Sequence, residues 1–366
     1  MSESFGEHIR LTLFGASHGP AVGAFVTGLP AGEAVDPAAL QRFLDRRAPG
    51  RGGAASTARK EPDHPEFLSG LSPSGVLDGT PLCALVRNLD TRSGDYAALA
   101  SVPRPGHADF PARAKYGDAF DPRGGGHFSA RLTAGLCIAG GIAKQLLARR
   151  GIFVGAHLLS VGPLSFTPFD PVAVSREDLE AVEPAKYSLS VADAARAEEL
   201  TALFERVRAV GDSVGGSIEC CVLGLPAGLG EPHFGGLESR ISAAVFGIPA
   251  VKAVAFGEGE NAARLSGSEN NDAYFFDEAG AVRTRTNHAG GILGGLATGM
   301  PLLFRAAVKP TPSIALPQES VDLAKREAAT LSVRGRHDAC VVPRAVACVE
   351  AAAAFAILDT LNPEGN

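Results

Sequence analysis

Tryptophan is absent from this sequence of 366 residues, and methionine is rare, with two residues. No stretch approaches the ~20 consecutive apolar residues that a membrane-spanning helix requires. The first ten residues include Glu3, Glu7 and Arg10 and lack the apolar core of a signal peptide. We therefore expect a cytoplasmic protein that does not bind membranes.

An excess of positive charge is also missing, since the formal net charge is −6 at pH 7. This balance argues against binding to nucleic acids. Hydrophobic residues make up 45% of the chain and charged residues 20%, which is typical of a folded globular protein rather than a disordered one. The chain is long and apolar enough to bury a substantial core.

Cys-x-x-Cys pairs and zinc-like spacings of histidine are absent as well. Of the six cysteines, Cys137 falls in a helical pattern, and Cys220 and Cys221 fall in an apolar, strand-like run. We interpret all six as small buried hydrophobic residues rather than redox groups. The nine histidines match no zinc signature, so we expect no structural metal.

Glycine and proline are abundant, with 44 and 25 residues that cluster between apolar runs. Asp36 is a suitable N-cap, with Pro37 at the first helical position, for a helix that ends near Arg47. Because no linker is evident, the pattern predicts one α+β domain over residues 1–366. The other predicted strands are 9–14, 21–26, 80–86, 217–223 and 250–256. Three further helices are predicted: one that ends at about 150, one over 192–210, and one from Pro343 to about 361.

Arginine is concentrated in three segments that also contain Gly, Pro or His. For any single arginine, a solvated basic face is the simpler interpretation. Three clusters interleaved with glycine-rich turns favour a pocket for a small molecule with several negative charges, because the planar guanidinium binds carboxylate or phosphate bidentately. The clusters are Arg42, Arg46, Arg47 and Arg51; Arg104, Arg113, Lys115, Arg123 and Arg131; and Arg334, Arg336 and Arg344.

Three consecutive glycines, at positions 124–126, run into a helical pattern. Such a junction would present free backbone N–H groups and the positive end of a helix dipole to a phosphate. A glycine-rich loop alone is a weak signal. Arg123 and Arg131 flank this one and strengthen the prediction of an anion site.

Five short runs resemble the motifs of the chorismate synthase family, in the family's order and at similar spacing. Any one run could arise by chance, whereas the set is specific. The resemblance spans about residues 5–358, nearly the whole chain. The five runs are 15–19 (GASHG), 104–109 (RPGHAD), 287–291 (NHAGG), 309–313 (KPTPS) and 335–338 (GRHD), supported by 211–213 (GDS) and 225–232 (LPAGLGEP).

The resemblance implies a β-α-β sandwich, in which a helical core lies between two four-stranded antiparallel sheets, assembled as a homotetramer. It also implies that 5-enolpyruvylshikimate 3-phosphate is converted to chorismate by anti-1,4-elimination of phosphate, in the shikimate pathway of aromatic amino acid biosynthesis. The reaction needs reduced FMN but has no net redox change. A substrate with two carboxylates and a phosphate requires several fixed cations, which accounts for the arginine clusters independently of the family match.

Catalytic roles are implied for the matching positions of this chain. The resemblance assigns His18 to the reduced flavin and His107 to the phosphate, where protonated imidazoles neutralise the charge of the leaving group. It gives the C–H proton to the reduced flavin N5 and then to Asp338, helped by Ser17 and Ser129. For a histidine in a tight turn, the alternative is a hydrogen bond to a backbone carbonyl.

Binding roles follow in the same way. Arg47 and Arg336, and then Arg131, are the expected substrate-binding residues. For Asp338, the alternatives to catalysis are helix N-capping and an ion pair with Arg336. The positions that match flavin-binding residues of the family are Arg47, His127, Phe128, Ser129, Pro249, Ala250, Gly294, Lys309, Pro310, Thr311, Pro312, Ser313 and Arg336.

Several positions depart from the family pattern. Ala16 stands where Glu is usual, and Ala48 where a third Arg is usual. The run 127–129 (HFS) replaces an Arg-Ser-Ser run associated with flavin binding, and Leu132 replaces a Glu. These changes bear on the flavin contacts and on any use of a reduced nicotinamide such as NADPH. Because no long insertion is evident, we expect an external source of reduced FMN.

Two other functions stay open at this stage. A flavin oxidoreductase would share the phosphate-binding features but would oxidise its flavin when substrate reacts. A non-catalytic, anion-binding paralogue is conceivable because of the departures at Ala16, Ala48 and 127–128. The retention of Ser17, His18, His107, Arg336 and Asp338 counts against the paralogue.

Overall fold

Two antiparallel sheets with a layer of helices between them form the fold. The computed structural model describes residues 4–50, 55, 61–89, 101–183, 196–333 and 338–361. Within these ranges no helix is both long and apolar enough to cross a membrane.

The first sheet is built from the N-terminal part of the chain, in the order β1-β2-β3-β5-β4. Along the fifth strand, Leu82, Ala84 and Val86 are buried and alternate with more exposed residues, so one face of this sheet covers the core. Its strands are β1 (Ser4–Phe5), β2 (Arg10–Gly15), β3 (Ala21–Thr27), β4 (Glu66–Ser69) and β5 (Leu82–Arg87).

The second sheet has the order β7-β6-β8-β14-β9. Leu302 and Phe304 of its strand β14 belong to the main core, whereas Leu303 belongs to a smaller cluster that includes Leu179. The strands are β6 (Phe153–Val161), β7 (Leu164–Ser165), β8 (Gly216–Leu223), β9 (Val251–Phe256) and β14 (Leu302–Val308). The remaining strands form three separate hairpins, β10 (Tyr274–Phe276) with β11 (Val282–Thr284), β12 (Ile292–Leu293) with β13 (Leu296–Ala297), and β15 (Gln318–Asp322) with β16 (Glu327–Leu331).

The expected sandwich is confirmed. Apart from the two-residue edge strands β1 and β7, each sheet has four longer strands, and all neighbouring strands are antiparallel. The helices are α1 (Pro37–Arg47), α2 (Asp109–Tyr116), α3 (Thr133–Arg149), α4 (Arg176–Ala181), α5 (Ala197–Ala209), α6 (Leu237–Phe246), α7 (Gly267–Asn270) and α8 (Val342–Thr360).

The helix layer is centred on α3 and α8, which pack against each other. Helix α3 contacts strands of the first sheet and α8 contacts strands of the second, so the pair joins the two sheets through one hydrophobic core. The helices approach closely because of small residues. A Cβ atom on Gly140 would lie only 2.3 Å from the Cα of Ala351, so no larger residue fits at this crossing.

A buried ionic cluster also holds the helix layer together. The carboxylate of Glu350, on α8, is fully buried and accepts hydrogen bonds from Arg46 Nη1 at 3.0 Å and Lys144 Nζ at 2.7 Å. It also accepts the backbone N–H of Ala156, on β6, at 3.1 Å. Burial alone would raise the pKa of Glu350, but the positive charges of Arg46 and Lys144 hold it below its usual value. The cluster ties α1, α3 and β6 to α8.

Most predicted elements are confirmed with small shifts at their ends. Asp36 caps α1 as expected, since its Oδ1 accepts the N–H groups of Ala38 and Ala39 at 2.8 and 3.1 Å. The predicted helix 192–210 corresponds to α5, with 192–195 outside the described residues. The three separate hairpins were not predicted, because their short strands carry no clear apolar alternation.

Candidate active site

A cavity of about 550 Å³ lies among the C-terminal ends of α1 and α6, the first turns of α3 and α8, and loops that include 106–108, 127–131 and 311–313. This volume is within the range of small-molecule sites in proteins. The lining thus combines residues from three of the five family-like motifs, namely 104–109, 309–313 and 335–338.

Two of the expected substrate-binding arginines, Arg47 and Arg131, line the cavity and meet at one buried carboxylate. Asp63 is fully buried and forms ion pairs with both guanidinium groups. Arg47 Nη1 also donates to Thr133 Oγ1 at 3.2 Å, and Arg131 Nε donates to Asn88 Oδ1 at 2.9 Å. Most donors of the two arginines are therefore already engaged by the protein, and their direct contact with substrate stays a prediction.

Asp63 is ionised in this setting. Burial alone would raise its pKa, but the charges of Arg47 and Arg131 hold the pKa below its usual value. A second carboxylate, Glu61, lies 3.4 Å from Arg131 and lines the cavity. The third expected substrate-binding residue, Arg336, lies outside the described residues.

His107 is held by a second arginine–carboxylate pair. Its Nδ1 lies 2.6 Å from Asp109 Oδ1, and Arg104 binds the same carboxylate through Nε at 2.7 Å and Nη2 at 2.8 Å. Burial alone would raise the pKa of Asp109, but hydrogen bonds from Arg104 and His107 hold it well below its usual value. An ionised carboxylate can only accept, so His107 Nδ1 carries a proton, and Nε2 is the atom with which His107 can reach a ligand.

The glycine loop separates the two motif histidines. A Cβ atom on Gly124 would lie 2.3 Å from the ring of His18, and one on Gly125 would lie 3.0 Å from His107 Nε2. Gly124 lines the cavity, so His18 lies directly behind a lining residue. Ser17 Oγ donates to the carbonyl of Arg123 at 3.2 Å and lies 3.2 Å from His18 Nδ1.

One prediction about this loop is wrong. The three glycines do not run directly into a helix, because all three have positive φ angles, which a right-handed helix cannot accommodate. Helix α3 begins only at Thr133, after a short 3₁₀ turn at 130–132 that follows the loop. The loop packs against the rings of His18 and His107 and does not present the end of a helix dipole.

Most of the expected flavin-binding residues surround the same cavity. Lys309 Nζ donates to the carbonyl of Gly106 at 2.6 Å, and its pKa is lowered, mainly by burial and also by the charge of Lys252. The Thr311 hydroxyl is buried and has no hydrogen-bond partner within the described part of the chain. The expected residues that line the cavity are Arg47, His127, Phe128, Ser129, Pro249, Ala250, Lys309, Thr311, Pro312 and Ser313.

Aromatic and strained residues complete this wall. The rings of His127 and Phe128 lie 4.3 Å apart, between their centroids, and His127 also contacts Tyr116. Ala250 has a φ of 76°, a left-handed conformation that is costly for any residue with a Cβ. Its carbonyl accepts the N–H of Lys309 at 2.9 Å, so the strained residue is fixed to the 309–313 segment. Strain of this kind is common at ligand sites.

Two expected flavin-binding residues do not line the cavity. Gly294 forms the turn of the β12–β13 hairpin, and its neighbour Gly295 contacts Gly236 and Leu237 at the start of α6. The cavity lies at the other end of α6. Pro310 lies between two lining residues but packs against Gly215. For both, a role in flavin binding stays a prediction.

Asp338, the expected proton acceptor, lines the cavity. Its Oδ2 accepts a hydrogen bond from Arg344 Nη1 at 2.7 Å, and Arg344 Nε donates to the carbonyl of Arg47 at 2.8 Å. Among the described residues no side chain caps helix α8, so the N-capping alternative for Asp338 is not observed there. The alternative pair with Arg336 involves a residue outside the described ranges.

Sequence reasoning missed several residues of this site. Asp109 ends the run 104–109, and its spacing from His107 was a usable signal, because a carboxylate two residues from a histidine can orient the ring. Asp63 and Glu61 lie in a segment without periodicity, and nothing in the sequence pairs them with Arg47 and Arg131. The described lining has five cations and two carboxylates, and Asp63 and Asp109 contact three of those cations. The site keeps a small positive excess that favours an anionic ligand.

Comparisons with known proteins agree with this geometry. A family model for chorismate synthase matches residues 9–361. The chorismate synthase of Lancefieldella parvula is 51% identical over 99% of this chain and 96% of that protein, and the one of Methanothermobacter thermautotrophicus is 45% identical over 99% and 94%. A crystal structure of chorismate synthase matches with a TM-score of 0.75 and 27% identity, over 97% of this chain and 92% of that chain. The predicted family and α+β fold are thereby confirmed, and the chain belongs to the chorismate synthase family of lyases.

Proposed function

We propose that this chain converts 5-enolpyruvylshikimate 3-phosphate to chorismate in the described cavity, by anti-1,4-elimination of phosphate with reduced FMN present. The observation that carries the proposal is that His107 and Asp338 line one cavity with an excess of positive charge, while His18 lies directly behind its lining residue Gly124. These residues come from three motifs that are far apart in the sequence. A leaving phosphate and a departing proton require this combination of acid and base groups.

The residues present fit a reduced flavin with a phosphate tail. Lys309 supplies a fixed positive charge, and the Thr311 hydroxyl has a buried oxygen that lacks a partner among the described residues. The rings of His127 and Phe128 offer an aromatic wall. We therefore assign the 309–313 segment, the 127–129 segment and the peptide at 249–250 to FMN binding. When bound, reduced FMN would supply an electron-rich ring system next to the substrate.

His107 is positioned to assist departure of the phosphate. Asp109 fixes the proton on Nδ1, so a second proton on Nε2 makes the ring a cation that can donate to a leaving oxygen. Arg104 holds Asp109 from the other side and donates through Nη1 to Ser313 Oγ at 3.1 Å. The histidine is therefore oriented by two successive contacts before the substrate arrives, which lowers the cost of reaching the reactive geometry.

His18 and Asp338 are assigned to the other parts of the reaction. Ser17 and the glycine loop fix the ring of His18 behind Gly124, where we assign it to the flavin. Asp338 is oriented by Arg344, and we assign it to accept the proton that leaves the substrate, with Ser17 and Ser129 assisting. Ser129 is already placed at the cavity, where its Oγ accepts the N–H of Arg131 at 3.3 Å.

The wider setting is also part of the proposal. We propose that the chain is a single domain, since both sheets share one hydrophobic core. By family likeness we propose a cytoplasmic homotetramer that receives reduced FMN from an external reductant. The alternative of a chain that reduces its own flavin with NADPH would show FMN reduction when NADPH alone is added.

The deciding experiment is an anaerobic assay with the substrate and chemically reduced FMN, following chorismate absorbance and released phosphate. Equal amounts of both products, with the flavin still reduced at the end, would support the lyase. Net oxidation of the flavin would indicate the oxidoreductase instead. No product from folded protein that binds FMN would favour a non-catalytic paralogue.

The same assay tests His107. We expect His107→Ala to lower turnover by roughly 10²-fold or more, because a general acid contributes at least that factor. His8→Ala is the matched control, since His8 is exposed and is not among the residues that line the cavity. Full turnover by folded His107→Ala would remove His107 from the mechanism.

A further inference from the structure

Two cysteines lie together where α3 and α8 pack, and one of them lines the cavity. The Sγ atoms of Cys137, on α3, and Cys348, on α8, are 3.9 Å apart, and both residues are buried. Cys348 lines the cavity, whereas Cys137 does not and is fully buried. A small molecule in the cavity therefore meets Cys348 rather than Cys137.

The two thiols have different surroundings. The Cys137 thiol donates a hydrogen bond to Cys348 Sγ, and the positive charge of Arg47 favours a negative charge on the same sulfur. These two effects lower the pKa of Cys348, although burial opposes the shift. Burial raises the pKa of Cys137 well above its usual value. Cys348 is therefore the thiol that ionises first, and Cys137 stays protonated beside it.

The other buried cysteines have neither a lowered pKa nor a place in the cavity lining. Burial raises the pKa of Cys220 and of Cys221 well above the usual value, and raises that of Cys340 to about 12. None of these three lines the cavity. The chain therefore contains its own internal controls for thiol reactivity.

We propose that Cys348 and Cys137 form a peroxide-reactive thiol pair in the wall of the active site. The Cys348 thiolate attacks one oxygen of hydrogen peroxide, which breaks the O–O bond and yields a sulfenic acid and hydroxide. The Cys137 sulfur then attacks the sulfenic sulfur, which expels the hydroxyl group as water and leaves a Cys137–Cys348 disulfide. The two thiols lose two electrons, which reduce the peroxide to two molecules of water once the hydroxide takes up the proton that Cys348 released on ionising.

The bond would change the cavity wall. Its formation brings the two sulfur atoms from 3.9 Å to about 2.05 Å, which draws Cys348 toward α3. In the reduced protein, Cys348 Sγ contacts the carbonyl of Arg344 at 3.5 Å, and Arg344 in turn holds Asp338. Oxidation therefore acts on the residue that orients the proposed proton acceptor, and reduction by a dithiol reverses it.

The test uses the full chain, reduced, desalted and free of substrate and flavin. It is treated with a small molar excess of hydrogen peroxide, free thiols are blocked with iodoacetamide, and peptides are mapped by mass spectrometry. We expect the Cys137–Cys348 disulfide to form in wild type and in the control variant Cys340→Ser. In Cys137→Ser, which lacks the second thiol, dimedone should trap a sulfenic acid at Cys348. Oxidation of Cys348 should be at least roughly tenfold faster than that of Cys340.

Two results would overturn the proposal. One is wild-type protein in which Cys348 stays reduced while peroxide oxidises other thiols at the same rate or faster. The other is oxidised Cys348 that pairs with no residue and advances to the sulfinic acid despite an intact Cys137. The wild-type peptide map decides the matter even if Cys137→Ser does not fold. Because the experiment needs neither substrate nor FMN, its failure is distinct from a failure of the proposed lyase function.

Discussion

Replacing Asp63 by asparagine should strongly destabilise the fold, because this one carboxylate neutralises two buried arginines. Arg47 and Arg131 are both nearly inaccessible to solvent. An asparagine can accept from one guanidinium, but its amide N–H₂ group would then face the donors of the other. Glu61 lies 3.4 Å from Arg131 and cannot reach both partners equally. At least one positive charge would be left buried and poorly paired.

Breaking a buried ion pair by removal of one partner costs about 3–5 kcal/mol. We expect a loss of that size for Asp63→Asn in urea denaturation at neutral pH and fixed protein concentration. Glu66→Gln is the matched control. Glu66 lies three residues further along the chain and pairs with Arg87 at 2.9 Å, but both side chains are about half-exposed. Water can therefore solvate Arg87 when the pair is broken.

The pH dependence gives a second check. The pKa of Asp63 is lowered in the folded protein, so its stabilising effect is fully present above the ordinary carboxyl pKa of about 3.9 and is lost as the pH falls through the lower folded value. The stability difference between wild type and Asp63→Asn should stay constant through neutral pH and shrink only in strong acid. The reasoning is refuted if Asp63→Asn loses no more stability than Glu66→Gln.

Three further predictions concern packing and proton placement. Gly124→Ala should reduce turnover, because its Cβ would lie 2.3 Å from the His18 ring. Gly117→Ala, also at a positive φ but with no atom within 4 Å of the added Cβ, should strain the backbone and leave the turnover of the folded protein unchanged; equal turnover in both would contradict the packing argument. Asp109→Asn should lower turnover by roughly 10²-fold, because an amide no longer fixes the ring tautomer, while the circular dichroism spectrum stays native; wild-type turnover would count against that role. Glu350→Ala should lower the free energy of unfolding, measured in urea, by about 3–5 kcal/mol, because two cations lose a fully buried partner. An unchanged free energy of unfolding would show that water reaches the cluster.

The sequence was informative where local physics decides the structure. Helix α1 was predicted with its Asp36 cap, because capping and apolar spacing are short-range features. Strands β3 and β5 were predicted for the same reason, because a short apolar run of β-forming residues is a local feature. The two motif histidines were also found, since each lies in a distinctive short run.

The rest depended on contacts between distant segments. The pairing of Asp63 with Arg47 and Arg131 joins three segments, and no local pattern in any of them indicates the other two. The predicted helix start at the glycine loop is wrong because glycine permits several conformations, and contacts with distant groups such as the His18 and His107 rings are not visible in the local sequence. Gly294 matched a family position, but whether a turn faces a cavity is a property of the whole fold.

The crossing of α3 and α8 also has a consequence for how the protein is made. Helix α3 has glycine at three interior positions, which weakens its intrinsic helicity by about 1 kcal/mol each relative to alanine. It is therefore held helical by burial, and much of that burial is against α8. Residues 150–341 separate the two helices, so during synthesis α3 leaves the ribosome long before its partner exists. The nascent chain must keep this apolar segment shielded until α8 emerges. The topology therefore makes folding dependent on chaperones and sensitive to truncation near α8.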